Sequence, residues 1–266
     1  MVKSLKLSVI IPAYNKDTEV FKAVSLVVDQ LKHLVYDWDI IVVDDASKDF
    51  TLREAIRSKK FNGNTERIKI FSYNLNQGKG FALYHGFAKS QGEIVVFADS
   101  DLDLPAENIS TLLNYFDDAN ADIAIGSKRH PLSKVTYPSF RRFQSKTYQA
   151  LIHLLFNLNV TDTQVGLKAF RRKALEKIFP RIVVKNFAFD LELLVVAKSL
   201  GYNNIVEVPI TLNYQFTSTI KISCIERILL DTFAIYWRKY ALSYYQTPHY
   251  RLEQDEILIT PQEALA

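Results

Sequence analysis

The sequence has one cysteine, Cys224, in 266 residues. One thiol cannot build a disulfide framework, so a disulfide-stapled secreted domain is excluded and a reducing, cytosolic setting is expected. The first residues alternate lysine with apolar side chains, which is not the apolar run of a secretory signal. No apolar run approaches the roughly 20 residues that a membrane-spanning helix needs. The nearest is residues 150–156.

Internal repeats, low-complexity tracts and linkers rich in proline, glycine or serine are also missing from the sequence. Hydrophobic residues make up 48% of the chain, which is enough for a substantial core and excludes disorder across most of its length. One continuous domain fits these observations best.

Charge is unevenly distributed, although the net charge is only +4. Residues 1–124 hold 14 Lys+Arg and 18 Asp+Glu, a balance of −4, whereas residues 125–243 hold 18 and 7, a balance of +11. The basic second half indicates an anionic partner such as phosphate or an acidic membrane surface, with a solvated basic face as the alternative. Nucleic acid is not expected, because the basic residues are not part of a recognised nucleic-acid-binding module.

Five short runs rich in valine and isoleucine predict strands that are buried on both faces. They are residues 7–11, 40–43, 68–71, 94–98 and 123–125. Helical spacing of apolar residues lies between the runs, as in Val20, Val24 and Leu31, and Pro105 stands where a helix can begin. The alternation predicts an α/β fold with a mainly parallel central sheet flanked by helices.

Ligands of such sheets bind beyond the carboxyl ends of the strands, so the residues after each run are candidates for a site. Three predicted strand ends carry residues suited to a nucleotide and a cation. These residues are Pro12, Ala13, Tyr14 and Asn15 after the first strand, Asp44 and Asp45 after the second, and Asp99, Ser100, Asp101 and Asp103 after the fourth. Aspartate after a strand can also be an ordinary turn or helix-capping residue.

The acidic segment from residue 99 to residue 103 carries the clearest chemistry. Mg²⁺ and Mn²⁺ prefer hard oxygen ligands and keep some coordination sites for water and substrate phosphate. We therefore predict Asp99, Asp101 and Asp103 as ligands of Mg²⁺ or Mn²⁺, the ion that would stabilise a departing nucleoside diphosphate. An Asp-x-Asp motif alone is common in solvated loops, so the prediction depends on the buried strand before it.

Four segments together resemble glycosyltransferase family 2: residues 9–15 (VIIPAYN), 41–47 (IVVDDAS), 76–80 (NQGKG) and 98–101 (ADSD). Three more are similar to the dolichyl- and polyprenyl-phosphate sugar synthases, above all the β-glucosyltransferases: residues 125–128 (IGSK), 162–168 (DTQVGLK) and 187–194 (FAFDLELL). The resemblance covers roughly residues 5–243. It implies a GT-A, Rossmann-like fold, to which residues 222–240 add an amphipathic C-terminal helix.

The resemblance also implies roles for the residues at the strand ends. The loop from Pro12 to Asn15 and the pair Asp44–Asp45 would hold the base and ribose of a nucleotide-sugar, with Asp99 and Ser100 beside them. Tyr14 suits packing on a base, although it is also a plausible packing residue. Gly78 and Lys79 would let the backbone approach the donor and place a cation near its phosphates, while a plain helix start is the alternative. Position 16 is lysine where many relatives have glutamate, so the base preference stays open.

The acceptor residues implied by the resemblance lie in the basic half. Lys128, Arg129, Arg141 and Ser145 would bind a lipid phosphate, since arginine donates paired N–H groups to phosphate. Asp190 or Glu192, and Asp162 or Gln164, could orient the sugar or acceptor, with a plain helix face as the alternative for the first pair. We take Asp101, Asp190 and Gln164 as the catalytic set.

The predicted function is the inverting, metal-dependent transfer of a hexose from a nucleotide-sugar, UDP-glucose being favoured, to a dolichyl or polyprenyl phosphate. A saccharide or other soluble acceptor, or an inactive sugar-nucleotide-binding module, are the alternatives. Two amphipathic stretches, one around Tyr148 to Phe156 and one around Ile222 to Tyr240, predict peripheral contact with the cytoplasmic face of a membrane, with core or dimer packing as the alternative.

The predicted domain occupies residues 1–243. Its nucleotide-binding half is expected at about residues 1–125 and its acceptor-binding half at about residues 126–243. Residues 244–266 are expected to form a polar, acidic C-terminal tail, with 1 Lys+Arg and 4 Asp+Glu. The oligomeric state cannot be derived from these patterns.

Overall fold

The structure is a computed structural model that describes residues 6–63, 66–135, 139–186, 188–213 and 222–249. The strands are β1 (Lys6–Ala13), β2 (Asp37–Asp44), β3 (Ile68–Ser72), β4 (Ile94–Phe97), β5 (Ile123–Ser127), β6 (Lys134–Val135), β7 (Lys168–Arg171), β8 (Ile205–Pro209) and β9 (Thr211–Leu212). The helices are α1 (Val20–Lys32), α2 (Thr51–Phe61), α3 (Lys79–Lys89), α4 (Glu107–Asp118), α5 (Ser139–Phe156), α6 (Arg172–Ile178), α7 (Phe189–Ser199) and α8 (Ile222–Tyr240).

Seven strands form the central sheet, in the order β3-β2-β1-β4-β7-β5-β8. All five strands predicted from apolar runs are present, and the mainly parallel sheet is confirmed. The exception is β7, which runs antiparallel between β4 and β5. A separate two-stranded sheet pairs β6 with β9.

Helices cover both faces of the sheet, and alternate residues of each strand point to opposite faces. Val9 and Ile11 pack with α1 and α4 on one face, whereas Ile10 packs with α3 and α7 on the other. The apolar stripes of α1 and α4 that the sequence predicted are buried there. Burial on both faces explains why the strands are continuously apolar.

The parallel register brings three strand ends to one edge of the sheet. Ala13 pairs with Asp44 across β1 and β2, and Ile10 pairs with Phe97 across β1 and β4. Because β7 is antiparallel, its first residue, Lys168, lies opposite Phe97 at the same edge. The segments after β1, β2 and β4 therefore meet beside the start of β7.

The amphipathic C-terminal helix is confirmed as α8, whereas the second predicted membrane stretch is corrected. Ile152 and Phe156 of α5 are fully buried in the core that α8 and α7 share, so core packing accounts for most of that stripe. Among the described residues, no helix is long and apolar enough to cross a bilayer.

The folded part also extends past the predicted boundary at residue 243. Tyr245, in a short 3₁₀ turn, is buried, and the backbone N–H of His249 donates to the carbonyl of Pro180 at 2.7 Å. The remainder of the predicted tail, residues 250–266, lies outside the described residues.

Candidate active site

The loops after β1 and β2 are tied together by Asn15. Its backbone is in the left-handed region, at φ 51°, and its N–H donates to Ser47 Oγ at 3.0 Å. Its side-chain oxygen accepts the backbone N–H of Lys48 at 2.9 Å. Asn15 thus shapes the rim on which the neighbouring Tyr14 stands, with 42% of its surface exposed. An exposed ring in this place is open to a planar ligand.

Asp44 carries a buried acceptor that the rest of the described chain leaves unused. One carboxylate oxygen accepts the Ser72 hydroxyl at 2.8 Å, while the other, Oδ1, has no hydrogen-bond partner among the described residues. Burial raises the pKa of Asp44. An unpaired buried carboxylate oxygen is costly, and an N–H group of a bound ligand would satisfy it.

Asp45 is also buried, but both of its oxygens are satisfied within the chain. Oδ1 accepts the Tyr73 hydroxyl and the backbone N–H of Gln77, each at 2.8 Å. Oδ2 accepts the backbone N–H of Gly78 at 2.8 Å and the side-chain amide of Asn76 at 3.0 Å. Asp45 therefore fixes the loop that leads into α3, and its predicted contact with the donor stays a prediction.

The glycines at the start of α3 make room for another part of the chain. A Cβ at Gly80 would lie 2.4 Å from the ring of Phe189, and a Cβ at Gly78 would lie 2.7 Å from the carbonyl oxygen of Lys185. The N–H of Gly80 also donates to that carbonyl, at 2.7 Å. These glycines allow the segment before α7 to pack on α3, a use that the sequence pattern did not reveal.

Four side chains of alternating charge form a row from the site into the protein interior, in the order Asp99, Lys79, Asp190 and Lys168. The Lys79 ammonium lies 2.6 Å from Asp99 Oδ1 and 3.7 Å from Asp190 Oδ2. The other oxygen of Asp190 lies 2.5 Å from Lys168 Nζ, and the side chain of Lys168 is 1% exposed. The structure therefore joins Lys79, Asp99 and Asp190, which the sequence placed in one site, and adds Lys168.

The pKa shifts in this row follow from burial and from the neighbouring charges. Burial alone would lower the pKa of Lys79, but Asp99 and then Asp190 raise it above its usual value. Burial would likewise raise the pKa of Asp99, but the Lys79 ammonium outweighs burial and the pKa of Asp99 is lowered. Burial lowers the pKa of Lys168, against the opposing effect of Asp190. Lys79 and Asp99 are thus a charged pair at neutral pH.

Negative charge accumulates around Asp101. Burial, followed by repulsion from Asp99 and Asp103, raises the pKa of Asp101 to about 6. A divalent cation would relieve this repulsion, and carboxylate oxygens are suitable ligands for Mg²⁺ or Mn²⁺. The residues present thus fit a metal by their chemistry, although no three His, Cys, Asp or Glu side chains of the described ranges are grouped closely enough to hold one.

The predicted acceptor residues form two contacts near the end of β5. Arg129 Nη2 donates to the carbonyl and hydroxyl oxygens of Ser145, at 2.6 and 3.0 Å, which brings these two predicted residues together. Lys128 Nζ lies 3.5 Å from Oδ2 of Asp162. The other oxygen of that carboxylate, Oδ1, accepts the backbone N–H of Gln164 at 3.1 Å. The side chain of Arg141 lies outside the described residues.

Glu192 does not face the site, contrary to its suggested role in orienting the sugar or acceptor. It is fully buried, and Oε2 accepts the backbone N–H groups of Val183 and Val184 at 2.8 and 2.6 Å. Oε1 accepts the Tyr245 hydroxyl at 2.6 Å and lies 3.4 Å from Arg238. Glu192 therefore joins α7 to α8 and the C-terminal turn. The sequence of this helix does not distinguish a carboxylate that is buried with its hydrogen-bond donors from a catalytic one.

Lys168 is the residue of the site that the sequence reasoning did not assign to a role. The available signal was a lysine followed by Ala169 and Phe170 and preceded by Leu167, a setting in which a charge needs a buried partner. The partner, Asp190, lies 22 residues further along the chain.

Residues 8–179 match the family described as Glycosyl transferase family 2. The chain is 30% identical over 242 residues to a dolichyl-phosphate beta-glucosyltransferase of Trichomonas vaginalis, covering 86% of this chain and 71% of that protein. It is 28% identical over 207 residues to the Saccharomyces cerevisiae enzyme of the same name, covering 72% of this chain and 62% of that protein. This chain thus spans less than two thirds of the yeast relative.

Two solved structures share the fold. One is glucosyl-3-phosphoglycerate synthase from Mycobacterium tuberculosis with uridine diphosphate, at TM-score 0.67 and 19% identity, covering 96% of this chain and 86% of that chain. The other is mannosyl-3-phosphoglycerate synthase from Rubrobacter xylanophilus, at TM-score 0.67 and 17% identity, covering 90% of this chain and 75% of that chain. These likenesses confirm the GT-A fold that the sequence resemblance implied.

Proposed function

The chain belongs to glycosyl transferase family 2 and is therefore a glycosyltransferase, and from this premise we propose that it transfers glucose from UDP-glucose to a dolichyl or polyprenyl phosphate. The acceptor and the sugar are taken from the relatives named dolichyl-phosphate beta-glucosyltransferase. The observation that carries the proposal is the meeting of Asp44, Lys79, Asp99 and Asp101 at one edge of the sheet.

The unpaired oxygen of Asp44 supports a uracil base in the donor. Uracil presents an N–H between two carbonyls, whereas the ring nitrogen of cytosine at the same place is an acceptor that a carboxylate repels. Guanine also presents N–H groups, so the geometry favours UDP or GDP over CDP. The glucosyl relatives favour UDP.

Asp101, with one of its neighbours Asp99 and Asp103, would hold Mg²⁺ or Mn²⁺, which when bound supplies positive charge for the donor diphosphate. Lys79 adds a second cation at the same place, because its ammonium already contacts Asp99. Its contact with Asp190 limits how far the ammonium can move. The site can thus stabilise the negative charge that grows on UDP as the glycosidic bond breaks.

A phosphate monoester acceptor needs no strong base, because its second pKa is about 6 and its oxygen is largely anionic at neutral pH. That oxygen would attack the anomeric carbon from the side opposite UDP. The new carbon–oxygen bond forms as the bond to the diphosphate breaks, and the bonding electrons leave with UDP. Inversion at the anomeric carbon follows. Asp190 is held by two lysines, which suits positioning of charge more than acceptance of a proton.

The outer face of α8 supports binding at the surface of a membrane that contains anionic lipid. Large apolar side chains are exposed along it: Leu230, Phe233, Trp237 and Tyr240. Arg227 is exposed three residues before Leu230, and Lys239 Nζ lies 5.1 Å from the Tyr240 ring centroid. Tryptophan, tyrosine and cations are the residues that favour the membrane–water interface. A membrane-bound protein would meet a lipid acceptor where the lipid resides.

The proposal is tested by incubating the protein with UDP-glucose, GDP-mannose and a polyprenyl phosphate in the presence of Mn²⁺. A glucosyl lipid phosphate extracted into organic solvent is the expected product, and the Asp101→Ala variant should form none. Transfer to a saccharide without lipid product would establish the soluble-acceptor alternative. Binding of UDP without any transfer would indicate an inactive sugar-nucleotide-binding module.

A further inference from the structure

Among the described residues, the ammonium of the buried lysine of β7 has two polar contacts, and neither is with the open part of the site. Lys168 Nζ lies 2.5 Å from Asp190 Oδ1 and donates to the carbonyl oxygen of Val165. The residue as a whole is 0% exposed. A ligand entering from solvent therefore has no route to this ammonium.

Asp190 connects this buried ammonium with the exposed end of the row. Its Oδ1 takes the short contact with Lys168, while its Oδ2 faces Lys79 at 3.7 Å. Lys79 is shared between Asp190 and Asp99, with the closer contact, 2.6 Å, to Asp99. The positive charge of Lys168 thus reduces the electrostatic attraction between Asp190 and Lys79.

We infer that Lys168 is a positioning residue of the sugar-transfer site: by neutralising Asp190 it keeps the Lys79 ammonium beside Asp99, where the donor diphosphate is expected. The inference rests on the proposed use of a nucleotide-sugar donor. Without Lys168, Asp190 would have Lys79 as its one remaining cation partner among the described residues. Lys79 would then move toward Asp190 and away from Asp99.

Stability alone does not explain why this pair is charged. A buried ion pair often contributes no more to stability than apolar side chains of similar volume. Leu191, Leu193 and Leu194 of α7 are fully buried, so the surrounding core accepts apolar residues readily. Stability is therefore not a sufficient reason for the pair, and its link to Lys79 supplies a further one.

The test is a double-mutant cycle on UDP affinity, measured by calorimetry with Mn²⁺ and without acceptor. Lys168→Met should weaken UDP binding about tenfold or more, and Lys168→Arg, which keeps the charge, should recover part of the loss. Lys79→Met should weaken binding too. In the Lys79→Met background, Lys168→Met should have little further effect, because the two residues act through one contact.

Lys69→Met is the matched control, since Lys69 Nζ pairs with Asp39 at 2.8 Å on the far part of the sheet. It should change the melting temperature without changing UDP affinity.

Additive losses of UDP affinity for Lys79→Met and Lys168→Met, or a Lys168→Met variant that binds UDP normally, would overturn the inference. Loss of folding in Lys168→Met transfers the decision to Lys168→Gln, which is also uncharged: UDP affinity close to that of Lys79→Met is expected, and wild-type UDP affinity would overturn the inference. The expected pattern of UDP affinities together with no lipid product in any form contradicts the proposed acceptor and leaves the role of Lys168 intact.

Discussion

Gly166 lies against the carboxylate of Asp99 so closely that a Cβ at position 166 would be 1.7 Å from Asp99 Oδ2. The glycine lies two residues before the start of β7, and the aspartate follows β4. Two segments far apart in sequence thus fix one side chain of the acidic motif. The absence of a side chain at residue 166 allows Asp99 its place beside Lys79.

Gly166→Ala should weaken Mn²⁺-dependent UDP binding about tenfold or more, because Asp99 must turn away and loses Lys79. The side chain can move more easily than the backbone, so the loss of stability should be smaller than the loss of binding. Calorimetry with UDP and Mn²⁺, together with thermal unfolding, measures the two effects. Gly201→Ala is the control, because Gly201 has φ 88° and open space around it. It should lower stability and leave UDP binding unchanged; equal UDP affinity in both variants would contradict the prediction.

The affinity of the free protein for Mn²⁺ should depend on pH through Asp101. Repulsion and burial raise the pKa of this carboxyl to about 6, and only the deprotonated form binds metal. Affinity should therefore be nearly constant above pH 7 and fall by about tenfold per pH unit well below 6. Mn²⁺ titrations followed by electron paramagnetic resonance between pH 5 and 8 measure the profile. Asp101→Asn should bind weakly at every pH, and a wild-type profile without a slope below 6 would be inconsistent with this role.

Replacing Asp44 tests the assignment of the base. Asp44→Asn keeps the size of the side chain but removes its charge, so the N–H of uracil loses an ionised acceptor and UDP affinity should fall about 10- to 100-fold. CDP, which has no N–H at that ring position, should bind the wild type weakly and lose little in the variant. Competition between UDP, GDP and CDP in a fluorescence assay gives the three affinities. A variant that keeps the wild-type preference for UDP would place the base elsewhere.

Tyr245→Phe should destabilise the fold by about 1.5–3 kcal/mol, because Glu192 is buried and loses a hydroxyl donor at 2.6 Å. Urea unfolding measures the change in the free energy of unfolding. Tyr244→Phe is the control, since its ring contacts with Tyr245 and His249 do not require the hydroxyl. Similar stability losses in both variants would show that the contact with Glu192 contributes little.

The sequence was sufficient to predict the donor side of the site and less informative about its interior. Asp44, Asp99 and Asp101 follow apolar runs, and parallel strands bring their ends to one edge, so pattern and topology lead to the same place. Lys168 reaches that edge because β7 is antiparallel, and such a reversal has no signal in apolar periodicity. Asp45 and Glu192 were equally difficult, because backbone N–H groups, which no sequence pattern identifies as donors, supply part of the hydrogen bonds to each carboxylate.

The outer face of α8 should bind vesicles through its large apolar side chains. Trp237 is 62% exposed, and Phe233 lies one turn before it on the same face. Replacing both with serine removes the apolar area that would enter the interface, so sedimentation with vesicles of mixed neutral and anionic lipid should fall about tenfold or more. Phe50→Ser is the matched control, because Phe50 is 64% exposed at the start of α2, on a different part of the protein. Vesicle binding by Phe50→Ser should equal that of the wild type.

Raised salt should weaken wild-type binding only in part, since the apolar contribution is not screened. A doubly substituted protein that sediments like the wild type would exclude this face as the docking surface, and a protein that stays soluble in all forms would exclude membrane binding under these conditions.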